Sequence, residues 1–469
     1  MLTDNVLVEI FDFYRNNHDH TRHTVWKWHL LVHVCQRWRQ VVFASPHRLN
    51  LQILCTERTP VRKNLCIWPV FPIVIVFYRY SWSGLTSNDE DNVTAALEHR
   101  DRVCYLFVDV TGLQLEKIAT AIQKPFPVLT DLIIVKRDEG ALVLPDGFLG
   151  GSAPCLQQIH LHGIHYPALP TLLLSTSDLV SLRLRHIPPT GYISPEAMVV
   201  GLAALPRLKF FYIEFQSTTS LPDRIRPSPV TRTVLPALAL FRFRGASEYL
   251  EDLLARIDGP QLIRIDISYS NDLSDFQVAQ LSKFVHRSVG FELTPFRRAR
   301  VSPFSGWVDF TLHHPNYPGR DRRSRPGICI SCGASYWQVS HRAQVLSQFS
   351  ATLSPFVHLE LGVHFEPGAR LEEDRPLEGT DNFEWLQLLH PFSTVQTLHV
   401  SRRVAGHVAH ALEDTTGEMV AEVLPSLDLI YLAGQPASSI EKFVAARQFS
   451  DRPVTVVDTD TEFNKRLES

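Results

Sequence analysis

The stretch LQQIHL (156–161) has apolar residues at its first, fourth and sixth positions, and LVSLRL (179–184) repeats this spacing. Further copies begin at positions on both sides of this pair: Val103, Leu129, Leu208, Leu238 and Leu262. Successive copies start 23 to 30 residues apart. A period in this range predicts a repeat architecture, in which each unit packs only against its neighbours.

Each copy predicts a strand, and the segments between copies predict helices. Later copies begin at Phe356, Val395 and Leu427. Helix-like segments cover 113–121, 195–204, 246–257 and 405–423, the last broken near Gly417. Strand and helix in alternation predict a parallel sheet with helices outside it. The spacing is typical of leucine-rich repeats, although the usual Asn after the strand is absent. We therefore predict an α/β fold with a leucine-rich-repeat-like strand–helix solenoid.

The first 46 residues predict a small helical module. Thr3 and Asp4 suit a helix start, and apolar residues from Val6 to Tyr14 follow at helical spacing. A second amphipathic segment covers 28–42 and ends at Ser45-Pro46. A module this small is expected to dock on another surface, either the next domain or a partner.

The stretches LTDNVLVEIF (2–11) and LVHVCQRWRQVV (31–42) resemble the F-box family. Thr3 stands where that family usually has Pro, and the motif starts directly at the beginning of the chain. The resemblance implies docking on a Skp-family adaptor, and through it on the cullin of a ubiquitin ligase. The residues that we expect to pack on the adaptor are Leu2, Val6, Leu7, Ile10, Phe11, Leu31, Val34, Cys35 and Trp38.

The remainder of the chain is similar to a large group of F-box proteins of mushroom-type fungi. The stretches that carry this similarity are RLNL (48–51), PVR (60–62), YWQV (336–339), WLQLLHPF (385–392) and FVAARQ (443–448). The similarity implies common ancestry along nearly the whole chain. It identifies no target, because the substrates of that group are largely unassigned.

The period of the repeats suggests where the chain divides. We predict an F-box over 1–46, a linker and solenoid cap over 47–100, a first part of the solenoid over 101–269, and its C-terminal part with a terminal cap over 356–469. Residues 270–355 contain no clear repeat and are predicted to form an irregular insertion. Within it, the Arg- and Pro-rich stretch PGRDRRSRP (318–326) is interpreted as a disordered loop rather than a nuclear address.

Composition excludes several function classes. The formal net charge is −3, which argues against a dedicated nucleic-acid binder. The longest apolar run, 70–78, is about half a membrane span, and no signal peptide is recognisable. The seven cysteines are scattered, so we expect reduced thiols and residence in the cytoplasm, the nucleus or both.

The residues between the apolar anchors are expected on the concave face of the solenoid, because side chains alternate along a strand. The candidate target-binding residues there are His160, Arg183, Arg185, Tyr212, Arg242, Arg244 and Arg264. Arg and Tyr anchor many interfaces, and clustered Arg captures acidic or phosphorylated motifs. The alternative is that these arginines pair with Asp266 and Glu214, and for phosphate capture we favour that alternative.

Catalytic and metal-binding motifs are weak. Cys329 and Cys332 form one C-x-x-C, which His313, His314 or His341 would have to complete as a zinc site, at a spacing that fits no standard module. The histidines between 18 and 33 fit structural use better than a metal site. No phosphate-loop or nucleophile motif occurs.

The sequence thus predicts a non-catalytic substrate receptor of a Skp–cullin–F-box ubiquitin ligase, with no cofactor and no metal, nucleic-acid or membrane partner. Two alternatives stay open. One is a repeat scaffold that acts outside a ubiquitin ligase. The weaker one is a zinc- or thiol-dependent enzyme built around Cys329 and Cys332.

Overall fold

The computed structural model has two compact units, residues 1–208 and 209–469, and each is treated by itself. The structure describes residues 2–16, 27–56, 59–78, 87–138, 140, 142–216, 231–269, 279–288, 298–301, 307–311, 327–332, 339, 343, 346, 347, 356–362, 381–415 and 419–458. The predicted boundaries at residues 46, 100, 269 and 355 do not coincide with the division at residue 208.

The first unit begins with a module of three helices, α1 (Asp4–Asn16), α2 (Lys27–Val32) and α3 (Gln36–Ala44). The second helical segment of the sequence prediction is therefore two helices, separated by a turn. Cys35 explains the break, because its backbone is extended and its Sγ accepts a hydrogen bond from the N–H of Trp38 at 3.4 Å. It thus caps α3, which ends at Ala44, directly before the predicted stop at Ser45-Pro46.

The first unit continues as a parallel sheet whose strands follow chain order. These are β1 (Ile53–Thr56), β2 (Ile73–Tyr78), β3 (Val103–Val110), β4 (Asp131–Lys136), β5 (Gln158–His162) and β6 (Ser181–Ile187). The apolar anchors align across it: Leu106 pairs with Leu132, Leu132 with Ile159, and Ile159 with Leu182. The register of this sheet thus follows the sequence repeat.

Helices alternate with these strands: α4 (Val61–Ile67), α5 (Ser87–Leu97), α6 (Gly112–Ala121), α7 (Leu169–Leu173) and α8 (Pro195–Leu202). Side chains define their starts, since Ser194 caps α8 and Thr111 forms a capping box with Gln114 at α6. Residues 47–100, predicted as a linker and cap, contain β1, α4, β2 and α5, so the repeat begins earlier than the sequence indicated.

The second unit contains β7 (Phe210–Phe215), β8 (Thr233–Val234), β9 (Leu240–Gly245), β10 (Ile257–Asp258), β11 (Arg264–Tyr269), β12 (Arg298–Val301), β13 (Trp307–Thr311), β14 (Gly327–Cys332), β15 (His358–Leu361), β16 (Thr397–Val400), β17 (Leu429–Leu432) and β18 (Thr455–Asp458). Its main sheet has the order β7-β9-β11-β14-β13-β12-β15-β16-β17-β18. β8 and β10 form a separate parallel pair.

Strands β12, β13 and β14 correct the prediction for the irregular insertion. β14 pairs parallel to β11, and β12 pairs parallel to β15. β13 lies between β14 and β12 and is antiparallel to both. The insertion therefore supplies three strands that continue the sheet in register. The Arg- and Pro-rich stretch 318–326 lies outside the described residues.

The helices of the second unit are α9 (Ser247–Arg256), α10 (Ala279–His286), α11 (Asn382–Leu389), α12 (Arg402–Glu413), α13 (Met419–Glu422) and α14 (Glu441–Phe449). The helix break predicted near Gly417 lies outside the described residues. The buried strand anchors include Phe241, Phe243, Ile265 and Ile267, and Trp385 of α11 is fully buried. Both units are thus mixed α/β, with parallel strands and intervening helices.

Among the helices of the described part of the chain, none is long and apolar enough to cross a membrane.

Candidate functional site

Helix α1 buries one face within the helical module and exposes another apolar face. Leu7, Val8 and Phe11 are buried, and the ring of Phe11 lies 4.8 Å from that of Trp38 on α3. Because successive residues of a helix are rotated by about 100°, Val6, Ile10 and Phe13 lie together on a different side. The helix therefore presents apolar side chains to both the module and its surroundings.

The helical module exposes six apolar side chains on or next to α1 and α2, and we call this set the apolar stripe. Its members are each between 41% and 66% exposed: Leu2, Val6, Ile10, Phe13, Leu30 and Val34. Isolated exposed apolar side chains are common, but six of them on a three-helix module are typical of an interaction surface. The stripe is the first candidate site.

The predicted adaptor-binding residues separate into two groups. Leu2, Val6, Ile10 and Val34 belong to the stripe, whereas Leu7, Phe11 and Leu31 pack inside the module. Those three are buried among the module's own helices, and adaptor packing stays a prediction for all of these residues. Trp38 is half-buried against Phe11, and Cys35 is exposed but caps α3.

Sequence reasoning missed Phe13 and Leu30, although both are on the stripe. Phe13 follows Ile10 by three residues, and Leu30 precedes Val34 by four. That helical spacing was the signal that could have identified them.

Arg37 of α3 holds the beginning of α1. Its guanidinium group donates to the Asp4 carboxylate at 2.7 and 3.1 Å and to the Leu2 carbonyl at 2.5 Å. Arg48 also pairs with Glu9 of α1. These contacts fix the end of α1 at which the apolar stripe begins.

An aromatic cluster joins the module to the sheet of the first unit. Trp28 of α2 donates from Nε1 to the Gln52 carbonyl at 2.9 Å, next to β1. Its ring centroid lies 5.3 Å from that of Trp68 and 5.7 Å from that of Phe71, both in edge-to-face geometry. Phe43 of α3 packs on the same rings. The apolar stripe is thus carried on a module that is firmly attached to β1 and β2.

His29 belongs to this cluster and contacts Trp68 with ring centroids 4.7 Å apart. Burial, and to a smaller extent the charge of the neighbouring His33, lower the pKa of His29 to about 4. The imidazole is therefore neutral near pH 7 and serves packing. The histidines at 18, 20 and 23 lie outside the described residues.

The predicted target-binding residues of the first unit occupy adjacent strands. His160 of β5 pairs in register with Arg183 of β6, and His162 with Arg185. The ring of His162 lies 4.5 Å from that of His186. His160 and Arg185 are partly exposed and Arg183 is exposed, so these side chains reach the surface.

In the second unit, two predicted arginines share one carboxylate. Arg242 of β9 donates to Oδ2 of Asp266 at 2.6 and 3.1 Å, and Arg264 donates to Oδ1 at 2.9 Å. We call Arg242, Asp266 and Arg264 the first triad. Both carboxylate oxygens are engaged, which favours the pairing alternative of the sequence analysis over simple phosphate capture.

Tyr212 and Arg244 extend this network. The Arg242 guanidinium lies over the Tyr212 ring, 5.4 Å from its centroid, which is cation–π geometry. The Tyr212 hydroxyl donates to Glu214 Oε2 at 2.7 Å, and Arg244 pairs with Glu214 Oε1 at 3.2 Å. Glu214 is buried, so its carboxylate holds the side chains of Tyr212 and Arg244 from inside the fold.

A second arrangement of this kind was not foreseen from the sequence. Glu360 of β15 pairs through Oε2 with Arg300 at 2.6 Å and through Oε1 with Arg298 at 3.1 Å. We call Arg298, Arg300 and Glu360 the second triad. His399 pairs in register with Glu360 and stacks on Tyr431 with ring centroids 4.3 Å apart.

The central positions of the strands form one polar row across the second unit. Its members in spatial order are Tyr212, Arg242, Asp266, Cys329, Asp309, Arg300, Glu360, His399 and Tyr431. Each triad contributes two members, and a tyrosine lies at each end. The polar row is the second candidate site.

The C-x-x-C motif lies within strand β14, not at the strand–helix junction that a thioredoxin-like site requires. The histidines proposed to complete a zinc site, at 313, 314 and 341, lie outside the described residues. In the described ranges, no group of three or more His, Cys, Asp or Glu side chains is arranged to hold a metal ion.

Comparisons with known proteins leave the family of the chain open. The sequence matches no model of a known protein family. No curated protein matches it either. A solved structure with some similarity is the leucine-rich repeat-containing protein LegL7 of Legionella pneumophila, at 13% identity and a TM-score of 0.27, over 86% of this chain and 99% of that chain.

Proposed function

We propose that the protein is a non-catalytic substrate receptor of a Skp–cullin–F-box type ubiquitin ligase. The observation that carries the proposal is the apolar stripe, where Val6 and Ile10 of α1 and the preceding Leu2 are exposed although another face of that helix is packed. An amphipathic helix with a second, uncovered apolar face suits docking against a partner. The F-box resemblance of residues 2–11 and 31–42 names that partner as a Skp-family adaptor.

In this proposal the strand faces hold the target. The polar rows of a strand–helix repeat offer Arg and Tyr side chains, which anchor many protein interfaces. Adaptor and target would then be held on one chain, and ubiquitin transfer would gain from effective concentration rather than from chemistry by this protein. Rigid attachment of the module through Trp28 and Trp68 supports this role, because it keeps the adaptor at a constant position relative to β1 and β2.

The experiment that tests the proposal is binding of the full chain to a purified Skp-family adaptor. We expect Ile10→Asp to weaken binding at least about tenfold, because it places a charge in an apolar interface. Ile10 is exposed, so this variant should fold. The matched control is Val200→Asp, a similarly exposed apolar residue on α8 outside the stripe, which should bind as the wild type does.

The alternative, a repeat scaffold outside a ubiquitin ligase, makes the opposite prediction. If the wild-type chain does not bind the adaptor, or if Ile10→Asp and Val200→Asp bind equally well, the receptor proposal fails and the scaffold alternative is favoured.

A further inference from the structure

Helix α3 holds both other helices of the module through two arginines. Arg37 and Arg39 are two positions apart on α3, so their side chains leave the helix about 200° apart. Arg37 donates to the Leu2 carbonyl at 2.5 Å and to the Asp4 carboxylate at 2.7 and 3.1 Å, at the start of α1. Arg39 donates from Nε to the carbonyl of Val32, the last residue of α2, at 3.1 Å. One short helix thus holds an end of each of its two neighbours.

These two ends carry different halves of the apolar stripe. Leu2 precedes α1, whose exposed face continues from it, and Val34 follows α2, which carries Leu30. Leu2 and Val34 both lie just outside a helix, where the regular hydrogen bonds of a helix interior do not order the chain. Each arginine therefore acts close to the place where a stripe residue leaves a helix.

The contacts of Arg37 fit a local role better than a global one. The side chains of Arg37 and Asp4 are 37% and 67% exposed, and ion pairs this exposed add little to the stability of a fold. Order at the start of α1 has a larger effect on docking, because a segment that is mobile beforehand loses conformational entropy when a partner immobilises it.

From this geometry we infer that Arg37 and Arg39 are positioning residues, which order the two halves of the apolar stripe before the adaptor binds. Arg37 acts on the half at the start of α1, and Arg39 acts on the half at the end of α2. This inference rests on the proposed function, in which the stripe docks on the adaptor, and it names the residues that prepare the stripe for docking.

Hydrogen–deuterium exchange of the free full chain, followed by mass spectrometry, tests the ordering without adaptor. We expect Arg37→Gln to accelerate exchange at least about threefold in peptides that cover 2–10 and to leave peptides that cover 28–35 unchanged. Arg39→Gln should have the reverse pattern. Each variant is thus the matched control of the other, and near-UV circular dichroism checks that both keep the packed aromatic cluster around Trp28.

Binding of the same chains to a purified Skp-family adaptor tests the consequence for docking. Arg37→Gln and Arg39→Gln should each weaken binding about threefold to tenfold, because the adaptor then has to order one end of the stripe. Arg37→Lys should recover part of the affinity, since it keeps the charge but lacks the planar fork. Arg62→Gln, which removes an exposed arginine paired with Glu98 outside the module, should bind as the wild type does.

Double variants separate positioning from direct contact with the adaptor. In a Leu2→Ala background, Arg37→Gln should weaken binding by no more than about twofold, because the side chain that it positions is already absent. Arg39→Gln acts on the other half of the stripe and should keep its full effect in that background.

Two results would overturn the inference. One is unchanged exchange of both segments in Arg37→Gln and Arg39→Gln. The other is an equal effect of Arg37→Gln with and without the Leu2 side chain, which would place Arg37 in direct contact with the adaptor. A wild-type chain that does not bind the adaptor would instead overturn the receptor proposal, and the exchange experiment would still decide whether the two arginines order the stripe.

Discussion

The indole rings of Trp28 and Trp68 meet edge to face with centroids 5.3 Å apart. Trp28 lies on α2 of the helical module, and Trp68 follows α4, which connects β1 to β2. The contact therefore links the module that carries the apolar stripe to the beginning of the sheet. Under the receptor proposal, the position of the adaptor would depend on this pair of rings, neither of which would contact adaptor or target.

Removing Trp68 should loosen the module from the sheet. We expect Trp68→Ala to lower the free energy of unfolding of this region by about 2–3 kcal/mol, less than for a fully buried Trp because Trp68 is partly exposed. Limited proteolysis is the measurement, and cleavage between the module and β2 should accelerate. Phe449→Ala, at a residue that is 93% exposed, is the control and should leave the cleavage rate unchanged.

The same cluster predicts a pH dependence of stability. The pKa of His29 is lowered to about 4 in the folded protein, against an ordinary value near 6.5 in the unfolded chain. The unfolded state therefore binds more protons between these values. The contribution of His29 to stability is fully present above about pH 6.5 and is lost as the pH falls toward 4.

Urea unfolding followed by Trp fluorescence measures this contribution. The midpoint should fall between pH 7 and pH 5 in the wild type and fall less in His29→Gln, which cannot be protonated in this range. His410→Gln, at an exposed histidine of α12, should keep the wild-type dependence. Identical pH slopes in all three proteins would contradict the assignment to His29.

Arg447 of α14 is fully buried and connects that helix to the segment before β17. Its guanidinium donates to the Leu424 carbonyl at 2.7 Å, with longer contacts of 3.5 Å to the carbonyls of Val420 and Leu427. Leu424 has a φ of +50°, a strained conformation for a leucine, so this hydrogen bond holds a turn that the residue does not favour.

We expect Arg447→Ala to destabilise the second unit by about 3 kcal/mol, since it leaves a cavity and unpaired carbonyls in the core. Arg447→Lys should recover only part of this loss, because an ammonium group cannot reproduce the planar fork. Thermal unfolding by circular dichroism provides the measurement. An unchanged melting temperature in Arg447→Ala would show that the buried guanidinium makes no net contribution to the stability of the second unit.

The sequence predicted much of the sheet because its anchors recur at a nearly regular spacing of 23 to 30 residues. Leu132, Ile159 and Leu182 were expected to align, and they pair directly in register. β1 and β2 were missed because β2, IVIVFY, is apolar at every position and lacks the alternation that marks a half-buried strand. β12 to β14 were missed because one of them runs antiparallel and so breaks the period.

Ion pairs of the candidate sites could be predicted only where the two charged residues are about one repeat apart in the sequence. Asp266 follows Arg242 by 24 positions, about one repeat, and their pairing was foreseen as an alternative. Glu360 is separated from Arg300 by 60 positions across a stretch without visible period, so the second triad could not be predicted. The burial of Leu7 and Phe11 depends on how three short helices pack, which helical spacing alone does not define.

The carboxylate of Asp266 should hold Arg242 and Arg264 in place. Asp266→Asn keeps one oxygen that can accept a hydrogen bond, but it removes the negative charge that both guanidinium groups contact. We expect the variant to lower the free energy of unfolding of the second unit by about 1–2 kcal/mol, because a hydrogen bond to a charged group is stronger than one to a neutral group. Thermal unfolding by circular dichroism provides the measurement. The control is Asp178→Asn, which removes a more exposed ion pair with Arg207 and should change the melting temperature little. An equal loss of stability in both variants would count against a structural role of the first triad.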